Sequence, residues 1–161
     1  CMSIHQEVHC VLDRSMQDIT KRFAGIQLMK DDVGLSENVC TVHTVLEGEH
    51  RAALLLHADM ALLVRLAQNV MKQETVTSQD IEDVATEYFN VLCGRVAAGF
   101  FQIAHIPSRF QTPRFRPGKF IPESKSSCRH ILTYNSEKDG SMQLICVGLP
   151  PNEEKNSIMP C

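Results

Sequence analysis

One run of residues, from Ile81 to Val96, separates its apolar and polar side chains as an amphipathic helix does. At about 100° per residue, Asp83, Glu87 and Asn90 fall within an arc of roughly 60°. The opposite side carries Ile81, Val84, Ala85, Tyr88, Phe89, Leu92 and Val96. The pattern therefore predicts a helix that packs through one face and displays carboxylates and a carboxamide on the other.

The polar stripe continues toward the end of this run with almost no side-chain bulk. Gly94, Ala97 and Ala98 follow Asn90 on the same side. Because such small residues allow the backbone of another molecule to come close, we interpret this side of the helix as a binding surface.

The N-terminal half of the chain alternates helical and extended patterns. Apolar residues spaced three and four apart predict a first helix over residues 4–23, ended by Gly25. Two apolar segments, 39–46 and 52–57, flank a turn at 47–49 and predict a β-hairpin. Asp59 is positioned to cap a second helix that runs to about residue 72.

The third helix and the C-terminal half complete the predicted order of elements. Thr77 and Asp80 form a capping-box pattern at the start of a helix that runs to about residue 104. Extended segments follow at 115–121, 128–134 and 142–147, with a turn at 138–140. The order α-β-β-α-α-β-β-β predicts an α+β fold in which helices pack on a sheet of mostly antiparallel strands.

Length and composition indicate one domain and restrict its partners. The chain has 161 residues with 43% hydrophobic content, so we expect a single domain over residues 1–161, with a polar, proline-marked tail from about 149. A net charge of −3 argues against nucleic-acid binding through bulk charge. No apolar run is long enough to span a membrane, and the first residues do not resemble a secretion signal, so we expect a cytoplasmic protein.

One basic segment offers an alternative that the rest of the chain disfavours. Residues 109–120 interleave arginine and lysine with Phe110, Phe115 and Phe120, as a nucleic-acid groove can. Phenylalanines in such alternation more often face a core, and the chain as a whole is acidic, so we predict no nucleic-acid partner. A second hypothesis is that Arg109 or Arg114 steers an acidic protein partner.

Cysteine and histidine give weaker signals. The seven cysteines contain no C-x-x-C pair, so free or buried thiols are expected rather than a disulfide framework or a zinc ribbon. His5 and His9 are four residues apart with Cys10 beside them, a spacing that can place two metal ligands on one helical face. Exposed histidines on the first helix are the simpler interpretation, and no metal site is predicted on this chain.

The spacing of the polar residues resembles a known signature. Asp83, Glu87, Asn90 and, after twenty-two intervening residues, Pro113 fill every position of the active-site pattern of the CheC/CheX/FliY phosphatases, which dephosphorylate chemotaxis response regulators. The run from Glu87 to Gly94 also resembles the E-x-x-N-x-x-x-G helix of that family. A second copy of the pattern is absent from the first helix, so the chain resembles the single-motif CheX members.

The resemblance implies a function and a role for each residue. It implies a phosphatase acting on the aspartyl phosphate of a CheY-type response regulator, with Glu87 and Asn90 as catalytic residues. Asp83, Gly94 and Pro113 are expected to support partner binding. No cofactor is expected on this chain, Mg²⁺ is expected on the phosphorylated partner, and a homodimer is possible because CheX-type proteins are often dimers.

Two other functions remain compatible with the sequence. The first is a non-catalytic adaptor that keeps the fold and binds a receiver domain or a flagellar switch component. The second is a ligand- or metal-binding module centred on His5, His9 and Cys10.

Overall fold

The computed structural model describes residues 2–32, 34–105, 107–122 and 128–150. The elements are α1 (Ile4–Ala24), β1 (Met29–Lys30), β2 (Val39–Gly48), β3 (Ala52–Asp59), α2 (Met60–Met71), α3 (Ser78–Ala104), β4 (Ser108–Phe110), β5 (Arg114–Pro117), β6 (Arg129–Asn135) and β7 (Ser141–Gly148). The predicted α+β class and order of the main elements are confirmed. The strands β1 and β4 were not predicted, because two or three residues are too few to show an alternating pattern.

Every strand pairing in the sheet is antiparallel. The strand order is β1-β6-β7-β3-β2-β4, and β5 pairs with β2 beside β4. The predicted hairpin is confirmed, since β2 and β3 pair from Val39 opposite Asp59 to Leu46 opposite Ala52. The hairpin therefore lies next to the centre of the sheet, with β7 on its other side.

Both faces of the central strands are covered. Leu54 and Leu56 of β3 belong to the main core, which also contains the buried faces of the three helices. Ala53 and Leu55 point to the opposite face, where they pack with Ile145, Val147, Phe120 and Leu149. All eight residues of β3 are consequently buried, which explains why its sequence is continuously apolar rather than alternating.

Local capping residues define where α1 and α3 begin and end. A capping box at Ser3 starts α1, and Gly25, with φ of 67°, ends it by donating its N–H to the carbonyl oxygen of Lys21 at 2.8 Å. At the start of α3, the Asp80 N–H donates to the Thr77 hydroxyl at 3.0 Å, and the Thr77 N–H donates to the Asp80 carboxylate at 2.9 Å. These bonds account for the predicted end of α1 at Gly25 and the predicted start of α3 after Thr77.

The predicted capping role of Asp59 is wrong. Asp59 precedes α2, but its side chain makes no capping hydrogen bond to that helix. Its carboxylate instead accepts the backbone N–H of Ser36 and of Ser141, each at 2.7 Å. Asp59 therefore ties the end of β3 to the segment before β2 and to the start of β7, where the buried N–H of Ser141 needs an acceptor.

The extended segment after Pro113 is shorter than predicted. The strand β5 ends at Pro117, because Gly118 follows with φ of 83° and turns the chain. The Thr41 hydroxyl donates to the Gly118 carbonyl oxygen at 2.8 Å and accepts the Phe120 N–H at 3.0 Å, which holds this segment across the sheet. Residues 151–161 of the predicted tail lie outside the described part of the chain.

The prediction of free or buried thiols holds for four of the described cysteines and fails for one. Cys10, Cys40, Cys93 and Cys146 are free thiols, and the last three are buried. Burial raises the pKa of Cys146 to about 12, so that thiol stays protonated at neutral pH. The exception is Cys128, which is disulfide-bonded.

The helix α3 packs through the face that its sequence predicted. Ile81, Ala85, Tyr88, Phe89, Leu92 and Val96 are buried, and Val84 packs against the same core. The Tyr88 hydroxyl shares a buried hydrogen bond with Thr20 of α1. This bond satisfies the polar end of an otherwise apolar contact between the two helices.

A second polar contact joins α1 to the edge of the sheet. The Asp13 carboxylate accepts hydrogen bonds from Tyr134 at 2.6 Å and Gln17 at 3.0 Å, and it lies 3.2 Å from the Lys30 ammonium. Burial alone raises the pKa of Asp13, but these hydrogen bonds and the charge of Lys30 outweigh it and hold that pKa below its usual value.

Two glycines of α3 differ in their surroundings, and substitution by alanine is expected to affect them in opposite directions. A Cβ at Gly94 meets nothing within 4 Å, whereas a Cβ at Gly99 would lie 2.5 Å from Cγ1 of Val11. Gly94→Ala should raise the free energy of unfolding by about 0.5–1 kcal/mol through helix propensity. Gly99→Ala should lower it by about 1–3 kcal/mol through overpacking, as measured by urea denaturation. An equal gain for both variants would contradict the close α1–α3 packing.

The contribution of Asp13 to stability should depend on pH. Because its pKa is depressed in the folded state, the stabilisation is present above the usual value of 3.8 and is lost as pH falls through the lower folded value. Asp13→Asn should therefore be clearly less stable than the unsubstituted protein at neutral pH, and the difference should shrink on acidification below that range. Urea denaturation at a series of pH values measures this, and a pH-independent difference would refute it.

Candidate functional site

The polar stripe of α3 lies on the surface, directly opposite the buried face. Asp83, Glu87 and Asn90 are all exposed, while Tyr88 and Phe89 between them have no exposure. Gly94 is also exposed, one turn beyond Asn90. Since the buried face fixes the rotation of the helix, the three polar side chains are held on one outward-facing line.

The two central residues of the stripe are not occupied by contacts within the protein. Asp83 accepts a hydrogen bond from the Gln79 side chain at 2.8 Å. Within the described part of the chain, the side chains of Glu87 and Asn90 make no hydrogen bond and no ion pair. They are therefore available to bind another molecule without breaking an existing contact.

Pro113 lies where the chain leaves β4 and begins β5. Both strands pair with β2, and the register between them places residues 111–113 opposite only two residues of β2, Thr44 and Val45. Gln111 stays bound to β2, because its N–H donates to the Val45 carbonyl oxygen at 3.0 Å and its own carbonyl oxygen accepts from the Thr44 hydroxyl at 2.6 Å. Pro113 has no N–H that could pair with β2, so it is suited to this position.

The stripe and the Pro113 segment border one shallow, open depression. Its lining consists of Glu82, Asp83, Thr86, Glu87, Pro113, Arg114, Phe115 and Arg116. The structure thus brings together Asp83, Glu87 and Pro113, while Asn90 and Gly94 continue along the helix outside this lining. Sequence reasoning missed Glu82 and Thr86, although their positions one residue before Asp83 and Glu87 place them on the adjacent side of the same helix.

Two arginines of β5, Arg114 and Arg116, are among the residues that line the depression. Arg114 and Arg116 are exposed residues of β5, and Phe115 between them packs against the core. The Arg116 guanidinium lies 4.4 Å from the centre of the Phe120 ring, a cation–π distance. The predicted core-facing role of the phenylalanines is confirmed for Phe110 and Phe115, which pack against the main core, and for Phe120, which packs against the cluster on the opposite face of the sheet.

The site has the chemistry of a positioning surface rather than of a covalent catalyst. Cys93, a cysteine of the same helix, is buried, and burial raises the pKa of its thiol, so it is not a nucleophile. A carboxamide such as Asn90 can donate and accept hydrogen bonds at once, and a carboxylate such as Glu87 can bind a cation. An open, shallow surface is suited to a protein partner, because small-molecule sites are normally enclosed.

The histidines of α1 lie elsewhere in the fold. His5 and His9 pack near His130 of β6, and Cys10 approaches Met2 with 3.9 Å between the sulfur atoms. In residues 2–32, 34–105, 107–122 and 128–150, no group of three or more His, Cys, Asp or Glu side chains could hold a metal ion. The same residues contain no helix whose length and apolar character would let it cross a membrane.

The fold and the exposed stripe define a domain that presents one face of a long helix above an antiparallel sheet. A sequence model of the family described as chemotaxis phosphatase CheX matches residues 40–135, which is more than half of the chain and includes all five candidate site residues. The chain belongs to the CheX family. No curated protein sequence matches it.

Solved structures show the same fold at low sequence identity. The chemotaxis protein CheX from Vibrio vulnificus is 15% identical, with 91% of this chain and 99% of that chain covered at a TM-score of 0.74. CheX from Desulfovibrio desulfuricans is 13% identical, and the match covers 87% of this chain and 97% of that chain with a TM-score of 0.73. A CheX–CheY–BeF₃–Mg²⁺ complex from Borrelia burgdorferi contains a chain that is 12% identical. The match covers 85% of this chain and 94% of that chain with a TM-score of 0.65.

Proposed function

We propose that this protein accelerates hydrolysis of the aspartyl phosphate on a CheY-type response regulator. The observation that carries the proposal is the pair Glu87 and Asn90, exposed on one helical face and, within the described residues, unpaired, in a chain of the chemotaxis phosphatase family. The complex of the Borrelia burgdorferi CheX with CheY supports a receiver domain as the partner.

Asn90 is assigned the role of orienting the attacking water. Phosphoryl transfer has a loose transition state, so positioning and charge stabilisation supply most of the catalysis. The carboxamide of Asn90 can accept a hydrogen bond from the water while its N–H₂ group donates to a phosphoryl oxygen. A carboxylate at this position would place negative charge against the phosphoryl oxygens, which explains why an amide is suited to it.

Glu87 is assigned the role of binding the receiver. It lies one helical turn before Asn90, where it can pair with a cationic side chain beside the phosphorylated aspartate. Asp83, Gly94 and Pro113 are assigned supporting roles in the same contact. Mg²⁺ belongs to the partner, where it neutralises the phosphoryl charge, so this chain need supply no metal for the reaction.

Substitution of the two central residues should separate catalysis from binding. Asn90→Ala should lower the rate of phosphate release from phosphorylated CheY with Mg²⁺ by about 100-fold or more, the usual effect of losing one well-placed polar group. Its affinity for the receiver should change little, whereas Glu87→Ala should weaken both rate and affinity. Phosphate release measures the rate, and titration calorimetry with the receiver measures the affinity.

Gln102→Ala is the matched control, because Gln102 is an exposed polar residue farther along the same helix. It should retain full activity. Unchanged activity of Asn90→Ala would contradict the proposed mechanism. Tight binding without any acceleration by the unsubstituted protein would instead identify a non-catalytic adaptor, and absence of both would refute a CheY-type partner.

Bulk at Gly94 should prevent close approach of the receiver. Because a side chain there meets nothing within the protein, Gly94→Leu should leave the fold intact. It should reduce receiver affinity by about 10-fold or more through steric exclusion at the interface, and Gly94→Ala should reduce it less. Thermal unfolding verifies the fold, calorimetry measures the affinity, and unchanged affinity of Gly94→Leu would exclude Gly94 from the interface.

A further inference from the structure

Phe101 is an exposed aromatic residue on the same line of α3 as the candidate site. At about 100° per residue, it falls within the arc of roughly 60° that also contains Asp83, Glu87, Asn90 and Gly94. Its exposure is 49%, although burial of an aromatic ring normally stabilises a protein. The outward line of α3 therefore begins with polar side chains and ends with an aromatic one.

The packing of α3 does not account for a phenylalanine at position 101. Phe100 is only 8% exposed and Ile103 packs against the main core, so the last turns of the helix already supply apolar side chains to the interior. Single exposed apolar residues are common on protein surfaces. Phe101 differs from such residues because it is aligned with the exposed side chains of the candidate site.

The Phe101 ring is held by a contact at the end of the helix. The ring centres of Phe101 and His105 are 6.2 Å apart at an interplanar angle of 81°, an edge-to-face geometry at which aromatic rings attract each other. The His105 N–H also donates to the Phe101 carbonyl oxygen at 2.8 Å. Because the ring is already restricted, less side-chain freedom is lost when a partner binds it.

The spacing along α3 fits the footprint of one protein partner. Glu87 and Phe101 each lie seven residues from Gly94, which is about 10 Å in each direction along a helix. An interface of standard size covers about 800 Å² of each partner, a patch roughly 30 Å across. A partner centred on Gly94 would therefore contact Glu87, Asn90 and Phe101 together.

The residues between Asn90 and Phe101 do not obstruct such a partner. Gly94 and Ala98 lie on this side of the helix, and both are exposed. Neither side chain is larger than a methyl group, and a Cβ at Gly94 would meet nothing within 4 Å. The surface of a partner can therefore approach the helix closely enough to contact both ends of the line.

We propose that Phe101 is an apolar anchor of the receiver-binding surface, which extends along α3 from Asp83 to Phe101. The inference rests on the proposed function, because the occupant is the same CheY-type receiver whose aspartyl phosphate lies at Asn90. The receiver would present an apolar patch about 16 Å from that aspartate, the length of eleven helical residues. Glu87 would fix the orientation of the receiver by charge, and Phe101 would add affinity by burial of its ring.

Continuity with the candidate site favours the receiver over a second copy of this chain. A second copy centred on Phe101 would also cover Gly94, because a standard patch extends roughly 15 Å from its centre. It would then compete with the receiver for the surface beside Asn90. A receiver bound along the whole line needs no such competition.

Phe101→Ala tests the anchor by separating affinity from turnover. Calorimetric titration with a CheY-type receiver activated by BeF₃ and Mg²⁺ should show a Kd raised by about 10-fold or more, as for an aromatic residue within an interface. In steady-state phosphate release, KM should rise while kcat stays within about twofold, because the ring does not touch the phosphoryl group. Phe101→Leu, which keeps an apolar side chain, should lose less affinity.

Ile131→Ala is the matched control, because Ile131 on β6 is 48% exposed and also presents an apolar side chain to solvent. Its affinity for the receiver should equal that of the unsubstituted protein. The heat-capacity change of binding should be less negative for Phe101→Ala than for Ile131→Ala, since less apolar surface is then buried. Thermal unfolding verifies that both variants are folded.

The possible results separate this inference from the proposed function. Equal receiver affinity of Phe101→Ala and the unsubstituted protein would overturn the anchor, while acceleration of phosphate release by both would leave the phosphatase intact. Binding without acceleration would remove the phosphatase, and weaker binding by Phe101→Ala would still support the anchor. Absence of binding by the unsubstituted protein would remove both. Self-association that is lost in Phe101→Ala, with unchanged receiver affinity, would assign Phe101 to a contact between copies and overturn the inference.

Discussion

Burial of α3 against α1, α2 and the sheet is the constraint on which the orientation of the candidate site depends. Tyr88, Phe89, Leu92 and Val96 have no exposure, and full burial of each such side chain stabilises the fold by about 1.5–3 kcal/mol. Rotating the helix by even a quarter turn would expose part of this set. Because the polar stripe is fixed on the opposite side of the same helix, packing inside the protein determines the direction in which Glu87 and Asn90 point.

A small number of buried or partly buried polar contacts fix how the elements are arranged around that helix. The Thr20–Tyr88 hydrogen bond joins α1 to α3, and the Asn69 side chain donates to the Ala24 carbonyl oxygen at 2.8 Å, joining α2 to the end of α1. The Asp59 carboxylate accepts the Ser141 N–H and in this way joins the end of β3 to the start of β7. Apolar burial alone is compatible with many similar packings of the elements. Each of these hydrogen bonds forms in only one of those packings, and leaving a buried polar group unpaired in the others costs about 1–3 kcal/mol.

The sequence predicted the features that depend on neighbouring residues and missed those that depend on distant ones. The buried face of α3 follows from a 3.6-residue period, and its start follows from Thr77 and Asp80, three residues apart. The role of Asp59 could not be predicted, because its partner Ser141 is 82 residues away and Asp59 directly precedes a helix. The neighbours of His130 come from α1, more than a hundred residues earlier, so its contacts with His5 and His9 required the fold. The nearness of Pro113 to Glu87 was implied only by the family resemblance.

Buried and exposed polar residues carry different information in this protein. Glu87 and Asn90 are unpaired among the described residues, but water can satisfy them, so they are inexpensive to retain and contribute little to stability. Nothing in the folding of α3 requires a carboxylate and a carboxamide there, and asparagine is a poor residue for a helix interior. A role outside the fold therefore accounts for them better than stability does. His130 is 2% exposed, and neither of its ring nitrogens has a hydrogen-bond partner among the described residues, so their burial lowers stability unless water or another group pairs with them. The same physical rule thus separates an exposed polar pair that costs the fold little from a buried imidazole that costs it more.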